Sequence, residues 1–240
     1  MNILIAGGSG GIGLAMVKEV VRRYPQATVY ATYRTQQPYE LNDAALINRV
    51  CWHQVDITQP EHVKAFSCQL SHLDWLINCV GMLHTSDKGP EKNVASLDAE
   101  FFLQNMTVNT LPSLLLAKHF TSKLKQSTGP RFATVSAKVG SISDNHLGGW
   151  YSYRSSKAAL NMFLKTLSIE WQRTVKHGAV LALHPGTTDT ALSKPFQANV
   201  PEGKLFNPDF VAKNLLDLIE NSTAQDNGKF WAYDGECLPW

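Results

Sequence analysis

An α/β fold, one doubly wound parallel sheet with helices on both faces, is what this sequence predicts. Three observations carry the prediction. Short apolar runs alternate with helix-length amphipathic stretches from end to end. The first run, residues 3–6, leads directly into Gly7-Gly8-Ser9-Gly10-Gly11-Ile12-Gly13 and then a helical pattern over 14–23. Polar or glycine-rich segments recur at the carboxyl ends of the runs, the rim where such a sheet binds ligands. About seven strands are expected, in a single domain spanning residues 1–240, with no repeat, linker or low-complexity tract.

In chain order, the first strand, glycine loop and helix form the context in which backbone approaches a pyrophosphate at a helix N-terminus. The second strand, 28–33, ends at Arg34. A carboxylate there would favour NAD, whereas an arginine pairs with a 2′-phosphate, so Arg34 favours NADP(H), with NAD(H) the alternative. The glycine loop adds no basic residue of its own. A third strand, 50–55, closes on Asp56-Ile57-Thr58, before a helix over about 59–70. Capping that helix and reaching an adenine are compatible roles for Asp56. The fourth strand, 73–77, ends in Asn78-Cys79-Val80-Gly81, a polar-then-glycine end that suits close packing against a cofactor.

Residues 84–96 read as a polar loop. A long helix is expected over about 97–125, broken or bent near Pro112. Asn109 lies in it among Met106, Val108 and Leu111, where a buried amide needs a partner. The fifth strand, 131–135, runs into Ser136-Ala137-Lys138-Val139-Gly140-Ser141, and a loop over 142–149 feeds a helix reaching about 175. The sixth strand, 179–183, ends in His184-Pro185-Gly186-Thr187-Thr188-Asp189-Thr190. A polar loop over 191–207, a helix over 208–221 and a strand over 228–233 complete the chain.

Tyr153 and Lys157 stand four residues apart, one turn along one helix face. A phenol titrates near ~10 in water. An ammonium beside it favours the phenolate, so the pair suits acid–base work on a carbonyl or alcohol oxygen. The net charge of +2 gives no argument for nucleic acid or an anionic membrane surface. No apolar run reaches membrane-spanning length and no signal peptide is recognised. The four cysteines lack metal-ligand spacing and read as reduced thiols, so no metal and a cytoplasmic location are expected.

Taken together, the glycine pattern, the Asn78–Gly81 segment, Asn109, the Tyr153/Lys157 pair and Pro185-Gly186 resemble the short-chain dehydrogenase/reductase family over nearly the whole chain. Within it, segments 151–161 and 184–194 and the ending Asn227-Gly228-Lys229-Phe230-Trp231-Ala232-Tyr233-Asp234-Gly235 are similar to the C-factor-like branch, which also contains carbonyl reductases. The resemblance implies a Rossmann fold and an NAD(P)-dependent oxidoreductase moving hydride between nicotinamide and a carbonyl or alcohol. A dinucleotide-binding signalling or sensor protein with little turnover is the other reading. Tyr153 would be the acid and base; Lys157 would bind the nicotinamide ribose and depress the Tyr153 pKa. Asn109 would hold a water linking Lys157 to solvent. Gly7, Ser9, Gly11, Ile12 and Gly13 would form the pyrophosphate loop. Arg34 would meet the 2′-phosphate, and Asp56 with Ile57 the adenine. Asn78, Val80 and Gly81 would back the cofactor, and Pro185, Gly186, Thr188 and Thr190 would hold its nicotinamide end. A homodimer or homotetramer is implied as well.

Two positions depart from the family pattern. Ala6 stands where a loop-bracing threonine is common. The family's paired serines at the end of the fifth strand read Ser136-Ala137 here. The second of that pair polarises the substrate carbonyl, and successive strand side chains point opposite ways. Ser136 is the first candidate for that role and Ser141 the second.

Overall fold

The structure, a computed structural model, describes residues 1–37 and 48–240. Among these, seven strands form one sheet: β1 (Asn2–Ala6), β2 (Thr28–Tyr33), β3 (Val50–Gln54), β4 (Trp75–Asn78), β5 (Arg131–Val135), β6 (Ala179–His184) and β9 (Lys229–Ala232). Their spatial order is β3-β2-β1-β4-β5-β6-β9, and every pairing is parallel. The winding therefore reverses between β1 and β4. In such sheets the crevice for a ligand opens at the carboxyl ends beside that reversal.

Strand alternation builds two cores. Leu4, Leu76, Phe132 and Val180 face one way, toward α2 (Pro60–Ser67), α4 (Leu111–Leu124) and α5 (Tyr151–Thr174), where Phe66, Phe120, Leu164 and Trp171 are buried. Ile3, Ile5, Ile77 and Leu181 face the other way, toward α1 (Gly11–Arg23) and α6 (Pro208–Asn221). Helix α1 carries glycines at positions 11 and 13, each costing about 1 kcal/mol against alanine in a helix interior. Met16, Val17, Val20 and Val21 lie buried in it, and at roughly 1.5–3 kcal/mol each their burial outweighs that cost. Asp98 caps α3 (Ala99–Asn109) by accepting from the Phe101 amide at 2.8 Å.

Of the break or bend expected near Pro112, the structure shows a break: the 97–125 stretch is two helices, α3 and α4, divided at Thr110. Pro112 has no amide to continue the ladder, and the Thr110 hydroxyl turns aside to donate to the Ser156 carbonyl at 2.8 Å. The loop expected over 191–207 is partly ordered. A 3₁₀ turn covers Lys194–Asn199, and β7 (Thr187–Thr188) pairs parallel with β8 (Leu205–Phe206). Two-residue strands are too short to leave a period in the sequence. No helix among the described residues is long and apolar enough to cross a membrane.

Candidate active site

All the strand ends meet along one rim, where a cleft of about 1120 Å³ opens. Its lining brings together Gly7, Ser9, Gly11 and Ile12 from the first loop, Arg34 after β2, and Asp56 and Ile57 after β3. Val80 and Gly81 follow β4, and Pro185, Gly186, Thr188 and Thr190 follow β6. Tyr153 and Lys157 form part of the same wall. Gly13, Asn78 and Asn109 stand behind it, outside the lining.

These three act as braces. A Cβ on Gly13 would lie 2.0 Å from the Gly7 carbonyl oxygen, so only glycine lets α1 begin this close to β1. Gly7 itself has φ +76°, and a Cβ there would meet Val80 at 2.6 Å. The Gly7 amide donates to the Thr32 hydroxyl at 3.0 Å. The loop brace that Ala6 cannot supply thus comes from β2, a residue that spacing along β1 had no means to reveal. Asn78 donates to Ser113 Oγ at 2.9 Å and accepts from the Val80 amide at 3.0 Å, which fixes the turn after β4. Asn109 clasps Met82 in both directions, accepting from its amide at 2.7 Å and donating to its carbonyl at 2.8 Å. Asn109 Nδ2 also donates to Ser156 Oγ at 2.9 Å, tying α3 to α5.

Tyr153 is 7% exposed and Lys157 2%. Lys157 Nζ lies 5.8 Å from the centre of the Tyr153 ring and donates to the Val135 carbonyl at 3.1 Å. Burial pushes the Tyr153 phenol up and brings the Lys157 ammonium down to about 8. Lys157 was expected to depress the phenol, but in the protein alone desolvation prevails. At the other end of the cleft, Asp56 accepts from the Thr58 amide at 3.0 Å and the Thr58 hydroxyl at 2.7 Å. Burial works against its charge, yet these bonds and the Arg34 guanidinium hold its carboxyl below the usual range.

Ser136 is buried, lines the cleft and donates to Asn161 Oδ1 at 2.6 Å. Ala137 is extended, at φ −152° and ψ 143°, and lines the cleft. Ser141 is buried, accepts from the Asp144 amide at 3.2 Å and does not line the cleft.

Trp150 and Phe196 also form part of the wall, together with His84 and His184, two wall residues that sequence reasoning missed. Trp150 packs against Tyr153 with ring centres 6.2 Å apart and against Phe196 at 5.4 Å. His84 meets Phe196 edge-on at 5.7 Å. The row spans residues 84 to 196, so no local pattern marks it. His184 also lines the cleft. Burial first, and then the Lys138 charge, lower its imidazole to about 4, and its Nδ1 has no protein partner.

The crowded glycines and the backbone-lined loop fit the diphosphate of a dinucleotide, and the cleft beyond them fits its two arms. A parallel sheet that opens its reversal point onto such a cradle defines a dinucleotide-binding protein. The sequence profile of the short chain dehydrogenase family matches residues 1–201, and the chain belongs to that family, in its C-factor and carbonyl reductase branch. It is an NAD(P)-dependent oxidoreductase. The chain is similar to 1-hydroxy-2-glutathionyl-2-methyl-3-butene dehydrogenase from a Rhodococcus strain, with 33% identity over 190 residues covering 78% of each protein. It is also similar to C-signal of Myxococcus xanthus, 31% identical over 70% of this chain and 93% of that one. Among solved structures, the NADPH-bound carbonyl reductase from chicken fatty liver superposes with a TM-score of 0.86 at 25% identity, over 100% of this chain and 94% of that one.

Burial of Lys157 gives a stability prediction. Its pKa falls from an ordinary 10.5 to about 8, so keeping it charged inside the fold costs roughly 3 kcal/mol. From about pH 8 to about pH 10 the unfolded chain binds the extra proton, so folded stability rises with pH over that window. Lys157→Met should therefore be more stable than the parent at pH 7. Its advantage in chemical denaturation should shrink between about pH 8 and about pH 10, and a constant difference would contradict the assignment.

Proposed function

We propose that the protein uses NADP(H) to interconvert a carbonyl compound and its alcohol, with Tyr153 as proton donor and acceptor. One observation carries the reading above all: the buried Tyr153/Lys157 pair stands on the wall of the same cleft that holds the glycine loop. Arg34, exposed at the end of β2 and close enough to lower the Asp56 pKa, supports NADP(H) over NAD(H). The likeness to a carbonyl reductase with NADPH bound supports the same choice.

Gly7, Ser9, Gly11 and Ile12 would hold the diphosphate, Asp56 and Ile57 the adenine, and Lys157 the nicotinamide ribose. Val80 and Gly81, with Pro185, Gly186, Thr188 and Thr190, would frame the nicotinamide end. When bound, the nicotinamide supplies or accepts the hydride. In reduction Tyr153 donates its hydroxyl proton to the carbonyl oxygen, and in oxidation it takes the proton back. Lys157, charged at neutral pH, stabilises the phenolate as it forms. Asn109 holds Met82 and Ser156 in register and would seat the water that returns a proton to Lys157. The His84, Phe196 and Trp150 rings give the substrate end an apolar wall, which favours an apolar carbonyl compound over a charged one. Free cysteines, three of them exposed, support a reducing cytoplasmic setting. Exposed Leu103 on α3 and Met162 and Ile169 on α5 support a homodimer or homotetramer.

Three measurements test this. Tyr153→Phe should lower kcat on any accepted carbonyl by about 10²–10⁴-fold; full activity would remove Tyr153 from the chemistry. Arg34→Ala should weaken NADPH binding by about tenfold, or roughly 1.4 kcal/mol, while NADH binding stays level. An equal loss for both cofactors would take Arg34 off the 2′-phosphate. The third concerns the carbonyl ligand. Both Ser136 and Ala137 line the cleft, but as that ligand Ser136 would have to give up its bond to Asn161, whereas a hydroxyl at 137 would start free of it. Ala137→Ser should raise kcat by about tenfold or more. If instead Ala137→Ser is neutral and Ser136→Ala is crippled, the role returns to Ser136. No turnover across a broad carbonyl panel, with NADPH tightly bound, would favour the signalling reading.

A further inference from the structure

Helix α5 carries Tyr153 in its first turn, and that turn begins without a cap of its own. The residue before it, Trp150, is left-handed at φ 53° and ψ 44° and makes no side-chain capping bond. A bulky residue in that conformation costs about 1–2 kcal/mol and persists only when its surroundings hold it. The first amides of the helix also need partners.

A single remote residue meets these needs. Glu91, in the segment between β4 and α3, is 4% exposed. Its backbone carbonyl accepts from the Trp150 amide at 2.5 Å. Its carboxylate Oε2 accepts from the Ser152 amide at 3.0 Å, and Oε1 accepts from the Ser152 hydroxyl. Ser152 is itself fully buried. A buried carboxylate is costly unless paired, and among the described residues no cation lies within salt-bridge distance of this one. Its charge is met instead by the positive end of α5 and by two donors from Ser152.

Position in the fold turns this cap into more than local stability. Trp150 and Ser152 flank Tyr151, and Tyr153 follows at once. The Trp150 ring touches both Tyr153 and Phe196. One turn further on, Ser156 donates to the Tyr153 carbonyl at 2.8 Å and accepts from Asn109. The turn bearing Tyr153 is therefore held at its far end by Asn109 through Ser156, and at its near end by Glu91.

We infer that Glu91 is a positioning residue for the reaction: through Ser152 and Trp150 it fixes the turn that aims Tyr153 and shapes the aromatic wall. This rests on Tyr153 being the acid and base. Without the carboxylate, two buried donors of Ser152 lose their partner and Trp150 keeps only its backbone bond. The turn then relaxes, and a displacement near 1 Å costs about 10²-fold in a positioned reaction.

The test is steady-state kinetics with NADPH on a carbonyl substrate that the parent accepts, at a temperature where each variant is shown by circular dichroism to be folded. Glu91→Ala should lower kcat by about tenfold to a hundredfold, with the NADPH dissociation constant within about twofold of the parent. Glu91→Gln keeps an acceptor for the Ser152 amide and loses the charge, and should return kcat to within about threefold. Parental kcat in Glu91→Ala overturns the inference, as does a loss shared equally with NADPH binding or a Glu91→Gln as impaired as Glu91→Ala. If Glu91→Ala does not fold, Ser152→Ala decides. A kcat loss of about threefold to tenfold with unchanged NADPH binding supports positioning, and parental kcat overturns it. A parent that binds NADPH but turns over no carbonyl sinks the proposed function, and the positioning with it. An active parent with an unimpaired Glu91→Ala sinks the role of Glu91 alone.

Discussion

Both faces of the seven-stranded sheet are covered by helices, and this one constraint settles where everything else can be. Strands such as β4 and β6, buried on both sides, have no room for chemistry along their length. Polar side chains can enter only where the strands end. Because every pairing is parallel, all the carboxyl ends lie on one rim, and the reversal between β1 and β4 opens a gap there. The glycine loop fills one side of that gap. Its crowding, Gly13 against the Gly7 carbonyl and Gly7 against Val80, is the consequence of bringing backbone into the space where side chains would otherwise pack.

Polar groups at the rim are buried, so each needs a partner, and the partners form one connected set. Asn109 joins Met82 to Ser156, and Ser156 joins the Tyr153 carbonyl. Lys157 reaches the end of β5 through Val135. Glu91 binds the other end of the same turn. The helix that carries Tyr153 and Lys157 is thus referenced to β4, β5, α3 and a remote loop at once. Among the described residues the buried Lys157 ammonium has one protein acceptor, the Val135 carbonyl. Desolvation lowers its pKa to about 8, still above neutrality, so the ammonium survives where the proposed chemistry uses it.

How much of this was legible follows from the range of each signal. The long-period features were legible: β2 and β5 were placed to the residue and β1 to within one, and most of the rim residues from Gly7 to Thr190 fell into one cleft as strand ends must. Features depending on a single residue's choice of partner were not. Pro112 marked a break or bend in the sequence, but not that Thr110 at the break donates its hydroxyl to the Ser156 carbonyl. Thr32 braces the glycine loop from a neighbouring strand, where β-branched threonine is an ordinary strand former. Glu91 reads as one more solvated charge in a polar loop until the fold buries it. His84 joins Trp150 and Phe196 in the aromatic wall from a polar loop whose pattern gives it no tie to either. The pKa expectation failed for a related reason: the four-residue spacing put Lys157 beside Tyr153, but it carries no information on how dry the pair is.

The end of β5 shows how a single strand position can alter chemistry without altering the fold. Ser136 and Ala137 are neighbours at the end of β5 and both line the cleft. The Ser136 hydroxyl meets Asn161, which lies one turn beyond Lys157 on α5, and so tightens the docking of that helix on the strand. The Ala137 methyl offers no hydrogen bond. On the proposed mechanism, with the Ser136 hydroxyl held by Asn161, a substrate oxygen would depend more heavily on Tyr153 than it would with a second donor opposite. That dependence gives the precise seating of the α5 first turn its weight. Where two donors share an oxygen, a small tilt of one is partly covered by the other; where one donor acts alone, the cap that aims it carries the whole requirement.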